Sequence, residues 1–370
     1  MNLFFINSIA AQVWGGGEKW MLTAASGLQK KGHNCYCCGQ KNSLFLHNCK
    51  HAGLPILPLK IQSDFGLENI LTLTRFFKQN QINIIVANFN KDVRLAGSAR
   101  KLAGVPILIA RNGLPILRNS WIYRWTYKMF VDAILTNTSA IKDRYMTYNW
   151  LDDDFISVIH NGIDTSQEIS FNRTTVLNKY NIPDQKPVIG FFGRLVSQKQ
   201  PDKFLEIAVK ILQKIPKTRF IFVGDGPLRE DILLLAGKLN IADKIQLLGA
   251  QKKVMELYSI CDLILLTSEK EGLPNVIMEA MLSGKPVVAF DVGGVKELIP
   301  TPAQGCVVPF NDIDAAAERA VRILESDALP QKLGQNAREY IIINFSVEKM
   351  VAQIEIMCTG LLHRKHKSGS

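Results

Sequence analysis

No apolar run in the 370-residue chain approaches the roughly 18–20 residues that span a bilayer, so no transmembrane helix is expected. The apolar start Met1-Asn-Leu-Phe-Phe-Ile6 has no basic segment before it, and a Gly-rich turn and Glu18-Lys19 follow. It is expected to be a first strand and not a secretory signal. Cysteines are few and odd in number: seven, at 35, 37, 38, 49, 261, 306 and 358. Cys35, Cys37, Cys38, His47, Cys49 and His51 match no zinc spacing, so reduced thiols inside strands are expected, and no metal site. A nucleic-acid motif is missing too, and the basic residues are not gathered into an arm. The net charge of +11, from 44 Lys and Arg against 33 Asp and Glu, therefore points to phosphates or acidic lipid and not to nucleic acid.

Hydrophobic residues make up 47% and charged residues 21%, enough apolar content for packed cores. The length suits two domains of ~150–200 residues. Short β-branched runs at 3–7, 34–38, 82–87, 106–110, 133–137 and 156–159 alternate with amphipathic stretches such as 18–31 and 67–79. That alternation predicts an α/β fold with a parallel sheet and helices on both faces. The chain turns polar and Pro-rich at 181–187, and the pattern restarts with strands at 188–193, 219–223, 244–248, 263–266 and 286–290. The expected division is 1–183, 184–345 and a final helix with a loose basic tail at 346–370. Ligands of doubly wound sheets bind outside the strands' carboxyl ends, so a site in a cleft between two such domains is expected.

The most informative stretch is Glu271-Gly-Leu-Pro-Asn-Val-Ile-Met-Glu279, between a buried strand and Gly284. Pro274 suits a first helical turn and Gly284 a helix stop. Backbone N–H groups at Gly272, Leu273 and Asn275 would then face an anion such as a diphosphate. Glu271 before the helix and Glu279 within it place two carboxylates at different depths, suited to two sets of hydroxyls. A cap and an exposed helical glutamate would look the same. Gly193-Arg-Leu-Val-Ser-Gln-Lys199 adds a guanidinium fork at Arg194 and an ammonium at Lys199, each a phosphate ligand or simply a solvated base. Gly224-Asp-Gly-Pro227 and Trp14-Gly-Gly-Gly-Glu18 are further strand–turn–helix junctions where a ligand could approach backbone.

In this order, Gly15-Gly16-x-Glu18, Asn161-Gly-Ile-Asp164, Gly193-Arg194…Lys199, Gly224-x-Gly226-Pro227 and Glu271-x7-Glu279, the motifs resemble those of the family-4 glycosyltransferases of the GT-B fold. The likeness covers nearly the whole chain and is most specific in the second half. It implies two Rossmann-like domains facing across a cleft, a final helix crossing back to the N-terminal domain, and metal-independent transfer with retention. Arg194, Lys199 and Glu271 would be the catalytic groups. Gly16, Gly17, Gly193, Gly224, Gly249, Gly272, Leu273, Asn275 and Glu279 would bind the donor, a UDP- or GDP-sugar acting as co-substrate, with no cofactor. Arg and Lys would supply the positive charge that a metal gives other transferases. Asp152-Asp-Asp154 precedes a strand and reads as a polar loop, not a metal motif.

One departure concerns the acceptor side. Where many members carry a His after the fifth strand, this chain reads Ile109-Ala-Arg-Asn-Gly113. Arg111 cannot act as a base at neutral pH but could hold an acceptor phosphate or carboxylate, with Asn112 beside it. The stretch 118–130 interleaves aromatic and basic residues. Trp121, Trp125 and Met129 are expected to pack under the sheet, with Arg124 and Lys128 outside. The alternative is a helix lying on an anionic membrane. The overall expectation is a cytoplasmic enzyme, at or near the inner membrane face, that moves a hexosyl unit to a saccharide or lipid-linked acceptor in surface polysaccharide or lipopolysaccharide synthesis. The competing readings are a phosphorylase- or epimerase-like enzyme of the same fold and a non-catalytic nucleotide-sugar-binding scaffold.

Overall fold

The computed structural model describes residues 1–167, 169–184 and 187–368. Gln185 and Lys186 of the Pro-rich stretch, and Gly369 and Ser370 of the tail, lie outside them. The chain divides into two units, one of residues 1–162 together with everything from Val347 onward, the other Ile163–Ser346.

Unit 1 contains strands β1 (Asn2–Asn7), β2 (Asn34–Gln40), β3 (Ile56–Leu59), β4 (Ile84–Ala87), β5 (Ile107–Asn112), β6 (Ala133–Thr136) and β7 (Ile156–Val158). Between them run helices α1 (Gly16–Lys30), α2 (Leu44–His51), α3 (Leu67–Gln79), α4 (Asn90–Ala103), α5 (Trp121–Phe130) and α6 (Ser139–Met146). The strands form one parallel sheet in the order β3-β2-β1-β4-β5-β6-β7. In β1, Phe4 and Ile6 enter one core while Leu3 and Phe5 enter the other. Helices on both faces leave neither side to water, which is why the strands read as unbroken apolar runs.

Unit 2 repeats the plan with α7 (Arg173–Lys179), β8 (Val188–Phe192), α8 (Pro201–Lys214), β9 (Arg219–Val223), α9 (Arg229–Lys238), β10 (Ile245–Leu247), α10 (Val254–Ile260), β11 (Leu263–Leu266) and α11 (Asn275–Leu282). It continues through β12 (Val287–Phe290), α12 (Val295–Leu298), β13 (Cys306–Val308), α13 (Ile313–Leu324) and α14 (Leu329–Asn344). Its parallel sheet has the order β10-β9-β8-β11-β12-β13. In both sheets the strand order reverses once, at β1/β4 and at β8/β11, and ligands of doubly wound sheets gather at such switch points.

The last helix, α15 (Val347–Ser368), belongs to unit 1. Its Met350, Val351, Ile354, Cys358 and Leu361 are buried in the α1 side of that core, the four larger side chains worth about 1.5–3 kcal/mol each if fully buried. A Cβ at Gly27 of α1 would stand 2.3 Å from Val351 Cγ2, so glycine there permits the close contact. The supposedly loose basic tail is helical as far as Ser368, and Lys365 meets Asp132 at 3.3 Å.

The division after Gly162 lies upstream of the expected 183/184 boundary. Val176, Leu177 and Ile182 are buried with the second core, and Ile163 N–H donates to Phe345 O at 2.7 Å. These apolar residues assign 163–183 to unit 2, so the polar stretch that looked like a linker is an internal connection. Two edge strands, β3 and β13, were also not expected; each is only three or four residues long.

The expectation for α5 is reversed for Trp121, Trp125 and Met129, while Arg124 and Lys128 are exposed as expected. Trp121, Ile122, Trp125 and Met129 are exposed, while Thr126, Tyr127 and Phe130 face inward. The buried Tyr127 hydroxyl donates to Asn90 Oδ1 at 2.9 Å, and that bond fixes the rotation of the helix. Asp153–Phe155, inside the supposed polar loop, forms a 3-10 turn, with Lys142 paired to Asp153 at 2.8 Å. Cys35, Cys37, Cys38 and Cys49 are buried, and burial pushes the Cys35 thiol up to about 12. Among the described residues, no helix is long and apolar enough to cross a membrane.

Candidate functional site

The unit 2 constellation grows from the carboxyl ends of its strands. Gly193 directly follows β8, Gly224 directly follows β9, and Gly249 lies just past β10. All three have left-handed φ values, +149°, +144° and +68°. A Cβ at Gly224 would lie 1.9 Å from Gly193 O, and Gly224 N–H donates to Gly249 O at 2.9 Å. The three turns therefore touch backbone to backbone, which only glycine permits at Gly224. This packing carries Arg194 out to an exposed position, with no side-chain partner among the described residues.

From β8 the chain turns through 197–199 to Gln200, which adopts φ +46° before Pro201 opens α8. Thr267, just after β11, holds this turn: its hydroxyl donates to Lys199 O at 3.1 Å and Gln200 O at 3.0 Å. Glu269 N–H donates to Gln198 O at 2.8 Å. The two loops are thus one body, and Lys199 Nζ meets Glu271 Oε1 at 2.5 Å. Their side chains are only 17% and 9% exposed, so the pair is largely desolvated.

Behind Glu271, a Cβ at Gly293 would stand 2.1 Å from Glu271 O, and Gly294 N–H donates to Gly272 O at 2.8 Å. This pair backs the loop and was not singled out in the sequence, although its Gly-Gly after a strand was the available signal. Pro274 is the residue before α11 and not part of its first turn, because its ψ is extended. Gly284, at φ +65°, follows the end of the helix as expected. Among the described residues the N–H groups of Gly272, Leu273, Asn275 and Val276 have no protein acceptor. They are the open positive end of the helix, where anions are stabilised.

Glu279, one turn on, accepts a hydrogen bond from Tyr258 Oη at 3.1 Å. Tyr258 stacks on Phe192 with centroids 3.8 Å apart and planes at 9°. Burial, then the Glu279 charge, raises the Tyr258 pKa, so its hydroxyl keeps its proton and donates. Tyr258 and Phe192 thus orient Glu279; neither is evident from local sequence, since they arrive from β8 and α10.

In unit 1 the Gly-rich turn opens α1. Glu18 is buried, with Oε2 accepting from Gly15 N–H at 2.9 Å and Oε1 from Asn7 Nδ2 at 3.0 Å. Gly16 and Gly17 form the first turn of the helix, and their N–H groups have no acceptor among the described residues. Arg111, on β5, is 5% exposed; its Nη1 donates to Asn88 Oδ1 at 3.2 Å and its guanidinium lies 4.9 Å from the Trp20 ring centre. Burial lowers its pKa to about 10, with Glu18 pulling the other way, so it remains charged at neutral pH. Asn112 is also buried and lies 3.5 Å from Tyr127 Oη. Among the described residues, no three His, Cys, Asp or Glu side chains are grouped to hold a metal.

The family model described as Glycosyltransferase Family 4 matches residues 14–167, and that described as Glycosyl transferases group 1 matches residues 172–340. The N-acetyl-alpha-D-glucosaminyl L-malate synthase of Bacillus anthracis is 31% identical over 58% of this chain and 56% of its own length. The UDP-Gal:alpha-D-GlcNAc-diphosphoundecaprenol alpha-1,3-galactosyltransferase of Escherichia coli is 26% identical over 84% of each. The chain thus spans little more than half of the first relative and most of the second. The crystal structure of Anabaena Alr3699/HepE in complex with UDP superposes with a TM-score of 0.86, at 20% identity over 97% of this chain and 100% of that one, a likeness of fold. Two parallel, doubly wound sheets with a returning last helix, matched along their length by these two models, assign the chain to the family-4 glycosyltransferases of the GT-B fold.

Proposed function

We propose that the chain moves a hexosyl unit from a UDP- or GDP-sugar to a saccharide or lipid-linked acceptor, with retention and without a metal, in surface polysaccharide or lipopolysaccharide synthesis. The observation that carries this reading is the desolvated Lys199–Glu271 pair beside the open N–H groups of Gly272, Leu273 and Asn275. A diphosphate bound there would draw Lys199 to its oxygens and free Glu271 for the hydroxyls of the attached sugar. Arg194 would add its guanidinium as the glycosidic bond breaks and negative charge collects on the departing phosphate. That phosphate could itself accept the acceptor's proton. Glu279, held by Tyr258, would take the ribose hydroxyls. Gly193, Gly224 and Gly249 would border the donor through their backbone, and Gly16 and Gly17 would offer N–H groups to phosphate.

Relatives lend support by their names: one is a UDP-Gal:alpha-D-GlcNAc-diphosphoundecaprenol galactosyltransferase, another a lipopolysaccharide core biosynthesis glycosyltransferase of Rhizobium meliloti. The α5 surface supports action at the inner membrane face. Trp121, at 77% exposure, stands with Ile122, Trp125 and Met129 among the exposed Arg118, Arg124 and Lys128, as suits an anionic lipid surface.

Donor turnover tests the proposal. A panel of UDP-, GDP- and ADP-sugars should yield one that stabilises the chain and is slowly hydrolysed or transferred. Lys199→Ala and Glu279→Ala should each abolish that turnover, and EDTA should leave it intact. Full activity in both variants would end this reading, and loss of activity in EDTA would end its metal-free part.

A further inference from the structure

We infer that the carboxyl edge of the unit 1 sheet is an acceptor subsite for a hydroxyl-rich molecule bearing one anionic group, phosphate or carboxylate, which the buried Arg111 holds. The inference deepens the proposed transfer and rests on it for the word acceptor; the anion site itself does not depend on it.

Three observations converge on this edge. First, Arg111 is a buried cation without a counter-ion. No carboxylate lies within 4 Å of it among the described residues, and Glu18, the nearest influence, is engaged by Gly15 and Asn7. Its Nε is buried with no hydrogen-bond partner, and its one bond goes to a neutral amide, Asn88. A desolvated charge left in that state is costly, so retaining one argues for a ligand that completes it.

Second, the guanidinium is placed at a helix start. A Cβ at Gly17 would stand 3.3 Å from Arg111 Nη1, and a Cβ at Gly113 would strike the guanidinium at 2.5 Å. Glycine at both positions lets the guanidinium lie directly against the backbone, where a side chain at Gly113 would displace it. α1 is fifteen residues long, and its Gly16 and Gly17 N–H groups have no protein acceptor among the described residues. Those N–H groups are the ones proposed above for the donor phosphate, so the acceptor's anion falls to the guanidinium alone.

Third, the edge carries a row of buried carboxamides: Asn7, Asn88, Asn112, Asn137 and Asn161, at or just past the ends of β1, β4, β5, β6 and β7. Asn137 Oδ1 has no partner, while its Nδ2 reaches Asn161 Oδ1 at 3.4 Å. Neutral amides that both donate and accept suit hydroxyl groups better than a second charge. One cation in a row of amides therefore selects a polyhydroxylated molecule with a single anionic group.

Trp20 lies beneath the guanidinium and provides a local signal. The full chain is titrated with inorganic phosphate, with glucuronate as the carboxylate arm and with glucose as the neutral control, reading Trp20 emission and thermal unfolding. A Trp20→Phe variant identifies the Trp20 contribution. The expected result is a saturable response to phosphate or glucuronate and none to glucose. Arg111→Gln should weaken that response roughly 10–100-fold, the scale of a lost charge-assisted hydrogen bond, while leaving stabilisation by UDP unchanged. Lys199→Ala should do the opposite. Arg111→Lys should retain part of the response, since a point charge replaces a fork. No response to either anion in the wild-type chain would overturn the inference, as would an unaltered one in Arg111→Gln. Loss of the UDP effect in Arg111→Gln would make Arg111 a donor contact and overturn it too. If Lys199→Ala and Glu279→Ala keep the UDP effect, the proposed donor site fails and the anion site stands. Should Arg111→Gln not fold, Arg111→Lys and the wild-type Trp20 response decide.

Discussion

The Lys199–Glu271 pair makes a sharp test because its two halves fail differently. At 17% and 9% exposure the charges are mostly out of water, and each is neutralised chiefly by the other. Removing one partner of a buried pair costs about 3–5 kcal/mol. The remaining exposure puts Lys199→Ala and Glu271→Ala near the lower end, about 3 kcal/mol each. In a unit of this size 1 kcal/mol shifts the midpoint by about 2–4 °C, so each single variant should melt about 6–12 °C lower. Lys199→Met combined with Glu271→Leu removes both charges and should recover most of the loss, giving strong non-additivity. The five tryptophans, at 14, 20, 121, 125 and 150, all lie in unit 1. The loss should therefore be seen by circular dichroism or calorimetry, with the tryptophan transition of unit 1 less affected. Glu271→Gln adds a functional arm: it frees Lys199, so UDP should bind no more weakly, while Lys199→Ala should weaken it. Single-variant costs below about 0.5 kcal/mol, or costs that simply add, would refute the desolvated pair.

Two further outcomes follow from backbone geometry and from a buried carboxyl. Gly224→Ala would place a Cβ 1.9 Å from Gly193 O at φ +144° and should cost more than about 3 kcal/mol, whereas Gly249→Ala meets no atom and should cost about 1–2 kcal/mol for its φ of +68°; chemical denaturation giving equal costs would contradict the backbone contact. Burial pushes Asp92 up to about 7 from its ordinary 3.8, against the N–H groups of Ser8 and Phe89 that favour its charge. The folded state therefore keeps a proton that the unfolded chain releases, and stability present below about pH 4 is lost as pH rises to about 7. The slope is limited to ~1.4 kcal/mol per pH unit. Asp92→Asn should flatten it, and urea midpoints from pH 4 to 8 with identical slopes in both proteins would exclude the effect.

Much of the architecture is written in local pattern. The runs at 219–223 and 263–266 and the helix at 67–79 match β9, β11 and α3 end to end, because strands buried on both faces and amphipathic helices have distinct periods. The Glu271–Glu279 segment also revealed its own form, a strand leading to a helix stopped by Gly284, since caps and glycines act within a few residues. Family membership was legible for the same reason: its motifs are contiguous strings.

Other features needed the folded chain. The 163–183 stretch looks like a tail of the first half, yet Val176 and Leu177 find their apolar partners in the second core. The orientation of α5 turns on Tyr127 reaching Asn90, 37 positions away, and the composition of the helix alone suggested the opposite. Glu279 is held by Tyr258, which is itself stacked on Phe192, and neither shares its helix. Lys199 and Glu271 are 72 residues apart, and only the pairing of β8 with β11 brings their loops together. Arg111 was visible as a departure from the family pattern, but not as a buried charge without a counter-ion. The sequence alone determined most of the strands and helices, though not the short edge strands β3 and β13, together with which loops carry charge and which family they belong to, because those signals are local. Tertiary structure decided which charges neutralise each other and which are left waiting, because burial and ion pairing depend on distances between strands that no short stretch of sequence contains.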